Sequence, residues 1–104
     1  MYKTILHKSL LSGETDETSK LSARAFFDLE LPFAPFVGLT VFFGQGAYGR
    51  VEQVNWDVNK GTFVVFCGHH CMDTGHPEHD FHNFEAWVES HSDEGWQVSK
   101  IAVR

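Results

Sequence analysis

Between Leu21 and Leu31 the chain alternates without a break: Leu21, Ala23, Ala25, Phe27, Leu29 and Leu31 share one phase, and Ser22, Arg24, Phe26, Asp28 and Glu30 share the other. A period of two sustained this long belongs to an extended strand with one face buried, because successive side chains leave the pleat on opposite sides. Such a strand needs partners beside it and apolar cover over one face. With 104 residues the chain can build that arrangement once, as a single domain spanning 1–104.

The rest of the chain supplies the partners. Residues 1–11 mix apolar and polar positions in neither period cleanly, which fits an edge strand or a short helix, and of the two they are read as the strand. Ser12 to Lys20 is small and polar, a flexible loop. Pro32 and Pro35 end the alternating strand, each lacking an amide donor. Val37, Leu39, Val41 and Phe43 then share a phase in a further strand. Arg50 to Val58 forms another, with Val54, Trp56 and Val58 in one phase and Val51 in the other, which predicts a bulge near Glu52. Asn59-Lys60-Gly61 is a short hairpin loop. Thr62 to Cys67 is apolar almost throughout and reads as a central strand covered on both faces.

Asp80 is placed to cap a helix reaching Ser92, in which Phe81, Phe84, Trp87, Val88 and His91 fall at helical spacing, and Gly95 stops it. Trp96 to Val103 reads as a last strand. The expected architecture is α+β: an antiparallel β-meander of about five to six strands with one helix near the C-terminus packed on the sheet.

Charge narrows the function classes. From Gly61 to Ser99 there are seven carboxylates (Asp73, Glu78, Asp80, Glu85, Glu89, Asp93, Glu94) and no Lys or Arg, within a net charge of -6. Eight dispersed basic residues give no cluster to neutralise phosphates, which argues against nucleic acid and against an anionic membrane surface. An acidic half suits a solvated face or a basic protein partner. The apolar runs are only strand-sized and the start lacks a signal-peptide pattern, so the expected location is the cytoplasm. Two cysteines are too few for a disulfide framework, and reduced thiols are expected.

Three features bear on chemistry. Gly44, Gly46 and Gly49 spell G-x-G-x-x-G, followed by Val51 as in kinase glycine loops. The next strand lacks the phosphate-binding lysine, and no helix start follows to face a pyrophosphate, so the segment reads as a tight hairpin. Cys67 to His82 gathers both Cys and five of the seven His. Cys67, Cys71, His76 and His79 make a C-x3-C-x4-H-x2-H set of zinc-compatible donors, although the spacing is that of no standard module. His76-Pro77-Glu78 matches the H-x-E of zinc deaminases, but both Cys lie on the wrong side of it. Third, the ten Phe exceed what one small core hides. Phe26, Phe33, Phe36, Phe42 and Tyr48 are the candidate interface, most simply of a two-fold homodimer.

The run ELPFAPFVGLTV, followed by VEQVNWD, the ligand-rich loop and EGWQV, resembles small orphan proteins carried in mobile integron gene cassettes and by phages, over roughly residues 29–98. The resemblance implies a compact bacterial accessory protein, often oligomeric, and assigns no residue a role. The combined expectation is a non-enzymatic, self-associating binding protein, such as an immunity-type inhibitor that masks a basic toxin. Alternatives are a zinc-binding protein using the 67–82 segment and a small enzyme with a His-rich site.

Overall fold

The alternating segment is strand β2 (Leu21–Leu31), and its partner is the N-terminal segment, strand β1 (Tyr2–Leu11), in an antiparallel hairpin that runs in unbroken register from Tyr2↔Leu31 to Leu11↔Ser22. The structure is a computed structural model that describes residues 1–13, 15, 17–42, 48–71 and 81–103, with Tyr48 and Phe81 described by their backbone alone. The 12–20 loop closes the hairpin with specific bonds: Ser12 N–H donates to the Leu21 carbonyl (3.1 Å), Leu21 N–H to Ser12 Oγ (3.0 Å), and Gly13 N–H to Ser19 Oγ (2.9 Å).

Strand β1 lies in the middle of the sheet, not at its edge. Its other side pairs in parallel with the long apolar strand, which extends further than the sequence suggests. Between the two, β3 (Thr40–Phe42) and β4 (Tyr48–Arg50) form a separate two-stranded hairpin, and β5 (Gln53–Asp57) precedes that apolar strand, β6 (Thr62–Cys71). Helix α1 (Phe81–Asp93) and short strands β7 (Gln97–Val98) and β8 (Ala102–Val103) complete the chain, and both short strands pair with β2. The main path is β5-β6-β1-β2-β7.

The fold is thus α+β with a helix near the C-terminus, but the sheet is mixed and the expected antiparallel meander is corrected at its centre. The β1–β6 pair is parallel because the chain leaves β2, builds the β3–β4 hairpin elsewhere, rejoins the sheet at its edge as β5, and turns back as β6 on the far side of β1. The strand expected over Arg50 to Val58 is broken rather than bulged. Val51 N–H bonds the Leu39 carbonyl (2.8 Å) and is buried, while Glu52 N–H bonds the Phe66 carbonyl (2.9 Å), so the chain passes between sheets at that step. The hairpin at 59–61 is as expected: Asp57 Oδ1 accepts from Asn59 and Lys60 N–H, and Gly61 takes a φ of 62°.

One face of the sheet carries the core. Leu6 and Leu10 of β1, Ala23 and Ala25 of β2 and Val65 of β6 are buried under Phe84 and Val88 of α1, with Trp96 and Val51 closing the sides. Asp80, the expected helix cap, lies outside the described residues. Gly95 ends the helix at a φ of 102°, with Trp96 N–H on the His91 carbonyl (3.0 Å) and Gly95 N–H on the Ser92 carbonyl (3.0 Å). This Schellman arrangement turns Trp96 back under the helix. The opposite sheet face is uncovered among the described residues, so β6 is internal but not covered on both sides: Val64 and Phe66 on that face are half-buried. No helix among the described residues is long and apolar enough to cross a membrane.

Because Phe84 is fully buried between helix and sheet, Phe84→Ala should lower the unfolding free energy by about 3 to 5 kcal/mol in urea titration. Trp87→Ala, at a half-buried position, should cost less, which separates core anchoring from surface helix packing.

Candidate functional site

Thr4, Leu6, Lys8 and Leu10 share the core-facing phase of β1, so the fold buries a lysine: Lys8 is 1% exposed. Its partner across the ladder is Ala25, whose small side chain leaves room beside the ammonium. Lys8 Nζ lies 4.3 Å from the centroid of the Trp96 ring and 3.2 Å from His70 Nδ1. The Schellman turn delivers the indole. The imidazole is delivered by an irregularity in β6, where the register slips between His7 and Ser9 and Gly68 takes a φ of 80°. That extra residue puts His70, rather than His69, on the core face opposite Leu10.

His91 completes the cluster from α1. Its Nδ1–H donates to the Trp87 carbonyl (2.9 Å), and its ring sits 6.3 Å from the His70 ring and 5.1 Å from that of Trp87. Burial dominates the electrostatics. It lowers His70 to about 4, helped by the charges of Lys8 and His91. His91 is lowered by burial, with the Trp87 carbonyl opposing. Lys8 is lowered to about 8 by burial, with Cys67 and Glu94 opposing. At neutral pH the cluster therefore holds one ammonium against two neutral imidazoles and an aromatic face, and His70 Nδ1 accepts the Lys8 proton while its Nε2 carries the ring hydrogen.

The residues singled out from the sequence are not gathered into one place. Cys67 points to the core, its Sγ 3.0 Å from where a side chain on Gly49 would begin, and burial pushes its thiol up to about 11. Cys71, four residues on, is exposed and pairs with Leu11, because the Gly68 slip puts it out of phase with Cys67. His76 and His79 lie outside the described residues, as do Gly44 and Gly46 of the glycine segment. Among the described residues no three His, Cys, Asp or Glu side chains converge to hold a metal ion. The approach of Gly49 to Cys67 gives that glycine a packing role: β4 passes so close to β6 that a side chain there would press on the Cys67 sulfur.

The interface candidates divide three ways. Phe33 and Phe36 face each other (6.1 Å) in the exposed link after β2. Phe42, 75% exposed, belongs to the β3–β4 hairpin, and the Tyr48 side chain lies outside the described residues. Phe26 alone is on the open face of the main sheet. There the register aligns Gln53, Phe66, His7, Phe26 and Gln97 in one row across five strands. His7 stacks on Phe26 (4.6 Å, 19°) and meets Phe66 edge-on (5.6 Å, 75°). Its Nε2 is buried with no hydrogen-bond partner among the described residues, and burial together with the Arg24 charge keeps its pKa below the ordinary value. The imidazole therefore acts as a third apolar ring. Ile5 and Val64 extend the patch, and beyond Ile5 an open groove of about 350 Å³ is lined by Lys3, Asp28, Glu30 and Thr62.

Comparison with known proteins adds no relative: no family model, curated protein or solved structure matches the chain. What the chain does is therefore carried by its own geometry.

The buried cluster makes stability depend on pH with a definite sign. His70 titrates at about 4 in the folded chain against 6.5 unfolded, so its contribution is complete above 6.5 and is lost as pH falls through 4. Lys8 titrates at about 8 against 10.5, so its contribution is complete only above 10.5 and is lost as pH falls through 8. Denaturation measured in pH steps should show stability rising through the lower window by on the order of 2 kcal/mol once solvent screening is allowed for, and rising again from pH 8 to about 9, above which the Cys67 thiol, held up to about 11 against 9.0 unfolded, offsets the Lys8 gain. Lys8→Met should flatten the upper rise and narrow, without abolishing, the lower one.

Proposed function

We propose that this chain is a non-enzymatic interaction protein that associates with a second copy of itself through the open face of its main sheet. The observation that carries the reading is the row Phe66, His7 and Phe26: three stacked or edge-packed rings at the centre of a sheet face over which no described element lies. Rings that could have been packed under the helix instead occupy the opposite side, where only another protein surface removes the rest of their area from water.

The rim supports the same reading. Arg24, Asp28, Gln53, His69 and Gln97 around the patch are exposed, giving an apolar centre inside a polar border, the anatomy of a protein interface. The titratable cluster around Lys8 favours a structural rather than a catalytic role, since the amine is enclosed by Trp96 and His70 and is almost fully removed from solvent. Phe33, Phe36 and Phe42 lie away from the patch and are left as separate exposed surface.

Light scattering and sedimentation equilibrium should give twice the chain mass of 11.8 kDa at micromolar concentration. Phe66→Asp should shift the protein to monomer, weakening association at least tenfold, with Phe26→Asp as a second, independent variant. A wild-type protein that stays monomeric at hundreds of micromolar would remove the reading.

A further inference from the structure

The open face has a charge pattern along its strands as well as an apolar centre. On β2, Arg24 lies two residues to one side of Phe26, and Asp28 and Glu30 lie two and four residues to the other. All three are exposed. On β1, in register with them, are Ser9 opposite Arg24, Ile5 opposite Asp28 and Lys3 opposite Glu30. His69 of β6, also exposed, pairs with Ser9 at the Arg24 end. The face is therefore basic at one end, where it carries Arg24, and acidic at the other, where two carboxylates outweigh Lys3.

A two-fold axis that stacks two such faces can lie in only two simple ways. If it runs along the strands, each residue keeps its height, and Arg24 meets the basic end of the partner while the acidic ends meet each other. If it runs across the strands, along the row of Phe66, His7 and Phe26, the heights are inverted and Arg24 of each copy stands over Asp28 of the other. The aromatic rows then coincide at the centre. Stacked sheets lie about 10 Å apart, a gap that Arg and Asp side chains together span.

Resting on the self-association argued above, we propose that the second copy docks face to face with its strands antiparallel, each Arg24 guanidinium entering the groove beside Asp28 and Glu30 of the other copy. The size is adequate. The 38 residues of β1, β2, β5, β6 and β7, each covering about 3.3 Å along its strand and about 4.8 Å across it, give a footprint on the order of 600 Å² per copy before side-chain relief, near the ~800 Å² per partner of stable complexes. The contact is isologous, so the ion pair forms twice and the assembly closes at two copies. Because these pairs sit at the border of the patch, they select the orientation more than they add affinity.

Charge reversal tests the arrangement. Arg24→Asp and Asp28→Arg are made separately, both at exposed positions, and dissociation constants are measured by sedimentation at low salt. Each variant alone should dissociate at least tenfold more readily than wild type, since each homodimer juxtaposes like charges twice. An equimolar mixture of the two variants should form heterodimers with a dissociation constant within about threefold of wild type, because a carboxylate again faces a guanidinium at both contacts. One contact is then the native Arg24–Asp28 pair, and the other is the same pair with its charges exchanged. This recovery on mixing also excludes misfolding as the cause of the single losses. If wild type dimerises but both variants dimerise as well as it does, or the mixture fails to recover, the antiparallel docking is overturned while self-association through the face stands. If wild type does not dimerise, both fall together.

Discussion

Strand β1 is hydrogen-bonded along both edges, antiparallel to β2 and parallel to β6, and every other part of the molecule is placed relative to it. Its Thr4, Leu6, Lys8 and Leu10 form the floor of the core, and its Lys3, Ile5, His7 and Ser9 run down the middle of the open face. A one-residue shift in its pairing would exchange the two sets, exposing Leu6 and Leu10 and burying Lys3 and His7. The burial of that floor therefore sets the register of the sheet, and through it the row of rings on the other side.

The same constraint explains the buried ammonium. Lys8 is in phase with Leu6 and Leu10, so the register that buries the leucines buries the lysine too. The structure meets the desolvation penalty with a set of groups that each arrive by a local device: Trp96 by the helix-terminating turn at Gly95, His70 by the slip at Gly68, and His91 by its position on the core side of α1. None of these groups is adjacent in sequence. The polar cluster ties helix, turn and sheet to a single arrangement, since the groups that surround the ammonium come from all three.

Much of the architecture was legible in the chain. The alternation of 21–31, the turn at 59–61, the helix with Phe84 and Val88 facing inward and its stop at Gly95 all follow from period and turn chemistry, and each is found where expected. Residues 1–11 are less legible because Lys8 interrupts the apolar phase. Thr4, Leu6, Lys8 and Leu10 are a period-two set once a buried lysine is allowed, and nothing local signals that allowance. The phase change in β6 is equally silent, because a glycine in a strand announces no direction for the residues after it.

The chain by itself determined where strands and helix begin, since these depend on near neighbours: side-chain period, missing amide donors and glycine conformations. Only the tertiary structure decided the order of the strands, the inward turn of His70, the enclosure of Lys8 and the separation of Phe26 from Phe33, Phe36 and Phe42. These are outcomes of pairing between residues far apart in sequence. Such pairing is governed by the total apolar area buried when β6 closes against β1, a quantity that no local stretch of sequence contains.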